Sequence, residues 1–240
     1  MDAPSYHAMP DGRRIAYRYL PGSRPTLVFL PGYRSDMSGI KAGAFYRWAE
    51  EQGGACLLLD YSGCGQSDGE FANGTLSRWR DEVLAVVDAV TDGPILPIGS
   101  SMGGWLMLLV AERLGSRLHG LMGIAAAPDF TDWGRSDDDK ARLAAGEVVH
   151  DVSPYGSVPF YPGFWNDGQA QRRLTGEIAI DCPVRLVHGM RDNAVPWDVS
   201  LRLQQALRST EVHLTLVKDG DHNLSRDEDI ALLLGTLASF

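Results

Sequence analysis

The sequence predicts an α/β fold, a mostly parallel central sheet with helices on both faces, and three observations carry that expectation. Short apolar runs alternate with longer helical runs along most of the 240 residues, the pattern of strand–helix repeats. The short runs end in Gly, Asp or Pro, as buried strands do where they leave a sheet. The alternation pauses once, over residues 130–177, which reads as an insertion after the sixth strand.

The elements follow in order. Residues near 6–8 and 14–19 flank Pro10-Asp11-Gly12 and read as an opening hairpin. Residues 26–30 form a buried strand, followed by a helix over about 41–52 that stops at Gly53-Gly54. The strand at 55–60 leads into a glycine-rich loop through Gly69. Its Gly63-Cys64-Gly65 is a weak dinucleotide signal, because no helix begins there. Thr75 caps a helix to about Val90, closed by Asp92-Gly93-Pro94. A strand at 94–98 precedes a long, mostly apolar run at 105–114 without a helix breaker, which reads as a mostly buried helix. Further strands fall at 118–127, 184–187 and 212–217, and Ser225-Arg226-Asp227-Glu228 reads as a capping box for the last helix.

Residues 1–129 and 178–240 thus form one core domain, with 130–177 as a cap. Within the cap, Ser136 followed by Asp137-Asp138-Asp139 starts a helix through about Glu147. Pro154, Pro159, Pro162 and Gly163 then mark a loop-like stretch. Phe130, Trp133, Tyr155, Phe160, Tyr161, Phe164 and Trp165 concentrate here. They either anchor the cap or line an apolar pocket beneath it, with Trp133, Phe160, Phe164 and Trp165 as candidate pocket residues.

The chemistry is carried by Gly99-Ser100-Ser101-Met102-Gly103, a G-x-S-x-G pentapeptide between strand and helix. A serine at such a turn projects its hydroxyl above the sheet. A lone serine among glycines is ordinarily a turn former, so its partners matter. Asp192 lies just past the strand at 184–187, and His222 follows the strand at 212–217. The chain order Ser101, Asp192, His222 is that of α/β-hydrolases. Histidine titrates near neutrality and can take the serine's proton, while a buried carboxylate fixes its tautomer. Asp129, one strand earlier, is the rival acid, and Asp192-Asn193 also suits a plain turn. His188 reads as a packed or hydrogen-bonded histidine beneath the site, and Asp221 as a loop-ordering residue. His213 lies in an alternating strand, and His7, His119 and His150 have no supporting context. The backbone N–H groups of Met102 and of Tyr33, after the strand at 26–30, are the candidate oxyanion donors.

Composition narrows the rest. The formal net charge is −9 and there is no basic stretch, which argues against nucleic acid and anionic membranes as partners. No segment approaches the ~20 apolar residues of a membrane span. Cys56, Cys64 and Cys182 have no paired spacing and fit a reducing compartment, with Cys56 and Cys182 read as buried strand residues. No cluster has metal-ligand spacing, so neither metal nor cofactor is expected. The first residues lack a secretory signal, which makes the cytoplasm the expected location.

Several segments carry a resemblance. They are Phe29-Leu30-Pro31-Gly32-Tyr33, Asp60-Tyr61-Ser62-Gly63, Ser67-Asp68-Gly69, Gly99-Ser100-Ser101, residues 103–108, 182–186 and 188–190, Val195-Pro196-Trp197 and Asp221-His222. Together they resemble the α/β-hydrolases, and more closely the family of the mammalian mitochondrial palmitoyl-protein thioesterase that also acts as a mycophenolic acid acyl-glucuronide esterase. The resemblance implies ester or thioester hydrolysis through an acyl-enzyme at Ser101, with Asp192 as acid and His222 as base. A small acyl ester or thioester, or an S-acylated protein, would be the substrate. The organelle presequence is absent and the cap does not align, which suggests a bacterial-type relative. The residues themselves point to a carboxylesterase, with an acyl-thioesterase as the near alternative and a non-catalytic ligand-binding member of the fold as the distant one.

Overall fold

A computed structural model describes residues 3–153 and 156–240; Pro154 and Tyr155 lie outside the described residues. The chain opens with the expected antiparallel hairpin of β1 (Ser5–Ala8) and β2 (Arg14–Leu20). Strands β3 (Ser23–Leu30), β4 (Gly54–Leu59), β5 (Ile95–Ser100) and β6 (Leu121–Ile124) follow. They are joined by helices α1 (Ile40–Glu51), α2 (Leu76–Val90) and α3 (Met102–Leu114). The insertion then carries α4 (Phe130–Trp133), α5 (Asp137–Ala144), β7 (Val149–Ser153), β8 (Gly156–Phe160) and α6 (Pro162–Ala170). The chain re-enters the sheet as β9 (Val184–Gly189), α7 (Asp198–Ala206), β10 (Val212–Val217) and α8 (Asp227–Leu237).

Eight strands form one sheet in the order β1-β2-β4-β3-β5-β6-β9-β10. It is parallel from β4 to β10, with β2 joining β4 antiparallel at one end. Side chains alternate between its faces. Val28, Leu30, Leu57 and Leu59 pack with Trp79 of α2 and Leu106 of α3, while Leu27, Phe29 and Leu58 pack with Phe45 of α1 and Leu233 of α8. Burial on both faces is why these strands read as continuous apolar runs. Helix α3 is buried from Met102 through Ala111, so its apolar residues surround it rather than form a stripe.

The caps show how local chemistry places the ends. Thr75 Oγ1 accepts from the Arg78 amide at 3.2 Å, and Ser136 Oγ from the Asp139 amide at 3.1 Å. The capping box of the last helix sits one residue later than its sequence suggests. Arg226 is the N-cap, its amide donating to Asp229 Oδ2 at 3.2 Å. The Asp229 side chain is buried against the Arg226 guanidinium, and that ion pair sets the start of the helix.

The insertion differs most from its expectation. Helix α5 ends at Ala144 rather than Glu147, where Gly146 turns the chain at φ 86°. The stretch that reads as loop is a β7–β8 hairpin followed by α6. Pro159 sits within an edge strand, and Pro162 occupies the first turn of α6, where its missing N–H costs nothing. The insertion is tied to the core by Asp167, which accepts from the Ser77 amide at 2.8 Å and the Ser77 hydroxyl at 2.6 Å. Cys182 is half-buried in the turn before β9 and is not a strand residue, whereas Cys56 lies buried in β4 as expected. Among the described residues no helix is long and apolar enough to cross a membrane.

Candidate active site

Strand β5 passes into α3 across one residue, Ser101, at φ 56° and ψ −122°. A non-glycine residue holds such a conformation only where its surroundings impose it. Here the Ser101 amide donates to Ile124 O at 2.9 Å, and its carbonyl accepts from Ala127 at 3.0 Å and Gly104 at 2.8 Å. A Cβ on Gly99 would overlap the Gly103 carbonyl, and one on Gly103 would overlap the Leu30 carbonyl. Strand and helix approach this closely only with glycine at both positions. The turn leaves the Ser101 hydroxyl at the C-terminal edge of the sheet, where the loops after β3, β9 and β10 converge.

His222, in the loop between β10 and α8, places Nε2 3.1 Å from Ser101 Oγ. Its Nδ1 lies 2.7 Å from Asp192 Oδ2, in the loop after β9. The Asp192 side chain is 0% exposed and that of His222 29%, so the acid is sealed while the imidazole faces the cleft. Asp192 Oδ1 accepts from the Ala194 and Val195 amides at 2.8 Å each. Burial pushes the Asp192 carboxyl up. The bonds from His188, His222 and the Val195 amide outweigh it and hold the group well below the usual carboxylate range.

Asp129 lies elsewhere in the network. It is the residue before α4, at φ 60°, and its two oxygens accept from the Arg173 and Leu174 amides at 2.7 and 2.8 Å. It anchors the return of the insertion, and burial pushes its carboxyl up. Asp221 orders its loop through the Asn223 and Leu224 amides, both at 3.0 Å. His188 is fully buried beneath the site, with Nδ1 2.7 Å from Ser200 Oγ and Nε2 3.0 Å from Val195 O and 3.2 Å from Asp192 Oδ2. Its place below the site is legible in the sequence, but the contact with Asp192 is not. The one available signal is the i, i+4 spacing across the end of β9.

Met102 begins α3, and Tyr33 lies in the turn after β3. A Cβ built on Gly32 would be 3.3 Å from Ser101 Cβ, so this turn runs directly beside the serine. Among the described residues neither amide donates to a protein acceptor, and both are free to meet an oxyanion beside Ser101.

Two cavities meet at Ser101. One, of ≈ 400 Å3, is lined by Gly32, Lys41, Ser101, His222, Asn223 and Ser225. The other, of ≈ 500 Å3, is lined by Ser101, Met102, Ala127, Phe130, Trp133 and Val195, with Arg135 and Asp151 also in its wall. Of the four candidate pocket aromatics only Trp133 lines this cavity. Phe160 and Phe164 are buried in the main core, where the Tyr33 ring packs against both, at centroid distances of 5.6 and 4.9 Å. Trp165 packs against that core and donates Nε1 to Thr131 O at 3.0 Å. These three rings fasten the insertion down. The Arg135–Asp151 ion pair in the cavity wall has no counterpart in the sequence expectation. Among the described residues no group of His, Cys, Asp and Glu is arranged to hold a metal ion.

The fold is that of an alpha/beta hydrolase, and the comparisons agree. The alpha/beta hydrolase family profile matches residues 27–233, and the chain belongs to that family. Within it, the chain is 36% identical over 239 residues to the mitochondrial palmitoyl-protein thioesterase ABHD10 of Homo sapiens, spanning 97% of this chain and 78% of that one. The crystal structure of a putative hydrolase from Agrobacterium vitis S4 superposes with a TM-score of 0.91 at 38% identity, covering 99% of each chain. The structure of alpha/beta hydrolase domain-containing protein 10 from mouse gives 0.90 at 34% identity, covering 99% of this chain and 98% of that one.

Proposed function

We propose that this protein is a serine hydrolase of carboxylic esters that works through an acyl-enzyme, with residues 130–177 acting as the cap over its site. The observation that carries the reading is His222, whose two ring nitrogens bridge Ser101 Oγ and the buried Asp192 carboxylate. Ser101 attacks the acyl carbonyl while His222 takes its proton, and Asp192 stabilises the imidazolium that forms. The Tyr33 and Met102 amides receive the oxyanion, each donor lowering the barrier by roughly 3–4 kcal/mol. His222 then protonates the departing group, and water repeats the sequence to release the acid.

The two cavities divide the substrate between them. The leaving group must lie within reach of His222 Nε2, which assigns it to the cavity that His222 lines. The acyl group falls to the cavity beneath the insertion, whose wall is largely apolar beside Ser101. No step requires a cofactor, because the nucleophile belongs to the chain.

A second reading is an acyl-thioesterase, acting on a small thioester or an S-acylated protein. It is favoured by the thioesterase name of the human relative, and the same three residues serve either leaving group. Steady-state hydrolysis of matched oxygen esters and thioesters, from two to sixteen carbons, separates the two, with Ser101→Ala as control. Unchanged turnover in Ser101→Ala overturns both. A stoichiometric acylation with no further turnover would instead mark a ligand-binding member of the fold.

A further inference from the structure

Beneath the Ser101–His222–Asp192 chain lies a second histidine, fully buried, for which the proposed reaction has no stated use. His188 Nε2 faces two acceptors, Val195 O at 3.0 Å and Asp192 Oδ2 at 3.2 Å. A ring nitrogen between two acceptors carries the proton. Nδ1 faces Ser200 Oγ at 2.7 Å, and a hydroxyl can turn its hydrogen toward it. All polar atoms of the neutral ring are thereby paired with the proton on Nε2, in a place where an unpaired one would be costly.

The two oxygens of Asp192 are consequently used differently. Oδ1 is held by two backbone amides, and Oδ2 sits between His222 and His188. We infer that His188 is a positioning residue of this site, donating from Nε2 to Asp192 Oδ2 as a neutral imidazole and fixing that oxygen in line with His222 Nδ1, with Ser200 setting its tautomer. The inference rests on the reading of Ser101, His222 and Asp192 as the reacting chain. A neutral donor holds the carboxylate in place without bringing a second positive charge beside the imidazolium that must form. It also tempers the carboxylate's pull on the His222 proton, because a hydrogen bond to the charged form spreads its charge.

The other charged groups near this pair are accounted for. Asp221 is held by two amides of its own loop, and Lys41 of α1 sits on the Asn223 carbonyl. Arg191 and Asp219 pair with each other at the surface, and Asp198 at the start of α7 is exposed. All of them are unchanged in the variants below, so a difference between variants reports His188.

The test is the pH dependence of Ser101 phosphonylation by a p-nitrophenyl phosphonate, read beside kcat and KM, in His188→Leu, His188→Gln and Ser200→Ala. In His188→Leu the donor is lost. kcat falls about tenfold with KM nearly unchanged, and the acid limb moves to higher pH by about half a unit. In His188→Gln an amide donor returns near the Nε2 position, and the limb moves back toward wild type. Ser200→Ala frees the ring and shifts the limb the same way by less, and it carries the test if His188→Leu does not fold. A wild-type limb in His188→Leu or in Ser200→Ala overturns the inference, as does a Gln variant whose limb matches that of Leu. If Ser101→Ala still turns over and is still labelled, the underlying reading fails. Loss of both in Ser101→Ala with an unmoved limb in the His188 and Ser200 variants overturns the positioning role alone.

Discussion

Replacing either buried aspartate by asparagine separates the residue proposed to serve the reaction from the one that holds the fold. Both amides on Asp192 use Oδ1. An asparagine there keeps them only by turning its NH2 toward His222 and His188, which then face a donor in place of an acceptor. His222 answers by accepting at Nδ1, which moves its proton to Nε2 and points it at Ser101 Oγ. That tautomer cannot take the serine's proton, and the expected loss in kcat is about 10⁴-fold, or roughly 5 kcal/mol of barrier. Asp129→Asn has the opposite profile. One oxygen still accepts, while the other of the Arg173 and Leu174 amides loses its acceptor, at about 1–3 kcal/mol of stability. Asparagine tolerates the φ of 60° at this position, so no backbone penalty is added, and kcat should stay within a few-fold. Turnover of p-nitrophenyl butyrate and urea midpoints on the same samples read both effects. An Asp129→Asn enzyme that loses more turnover than Asp192→Asn would refute the assignment of the acid.

Four further outcomes follow from the same structure. Gly103→Ala forces a methyl against the Leu30 carbonyl and should lower stability by about 1–3 kcal/mol while reducing turnover, which a melting curve and an activity assay check together. Turnover should fall on acidification, because a protonated His222 cannot act as base; a profile flat down to pH 4 would exclude that role. Asp192 titrates below its unfolded value of ~3.9. The stability it adds is complete above that value and is lost as pH falls through its folded one. Asp192→Asn should therefore flatten the decline of urea midpoints between pH 5 and 2.5. Burial pushes the Cys56 and Cys64 thiols up to about 12 and Cys182 to about 11; Ellman's reagent should label the native protein slowly, and alkylation in denaturant should recover three thiols.

The core of the fold was legible because the strands between helices are buried on both faces. Residues 27–30 and 55–59 are unbroken apolar runs, and β3 and β4 lie there within a few residues. The relation of Ser101, Asp192 and His222 was legible for a related reason. Each follows the C-terminal end of a parallel strand, and those ends share one edge of the sheet. Where local signals competed, the reading was less sure. Pro159 and Pro162 read as loop punctuation, yet one tolerates an edge strand and the other starts α6. Ser225 reads as an N-cap, but the ion pair of Arg226 with the buried Asp229 outweighs it and moves the start by a residue. His188 against Asp192 depends on the turn after β9 folding back, a tertiary event that leaves little trace in composition or spacing.

The insertion shows why aromatic content is a poor guide to a pocket. Phe130, Phe160 and Phe164 surround the Tyr33 ring at centroid distances of 4.9 to 5.9 Å. Tyr33, the proposed oxyanion donor, is thus gripped through its side chain by the insertion. Edge-on and tilted ring pairs of this kind contribute about 0.5–1.5 kcal/mol each beyond their burial, so the cluster stiffens the turn after β3 as well as holding the insertion down. Only Trp133 of the four candidate rings reaches the cavity wall, which it shares with Tyr33, Phe130, Ala127, Val195 and the Arg135–Asp151 pair. Phe164→Ala should accordingly act on kcat through the Tyr33 amide. Ala127→Leu, which fills the cavity without touching the cluster, should instead shorten the longest acyl chain accepted. An Ala127→Leu enzyme with the wild-type chain-length profile would move the acyl group out of this cavity.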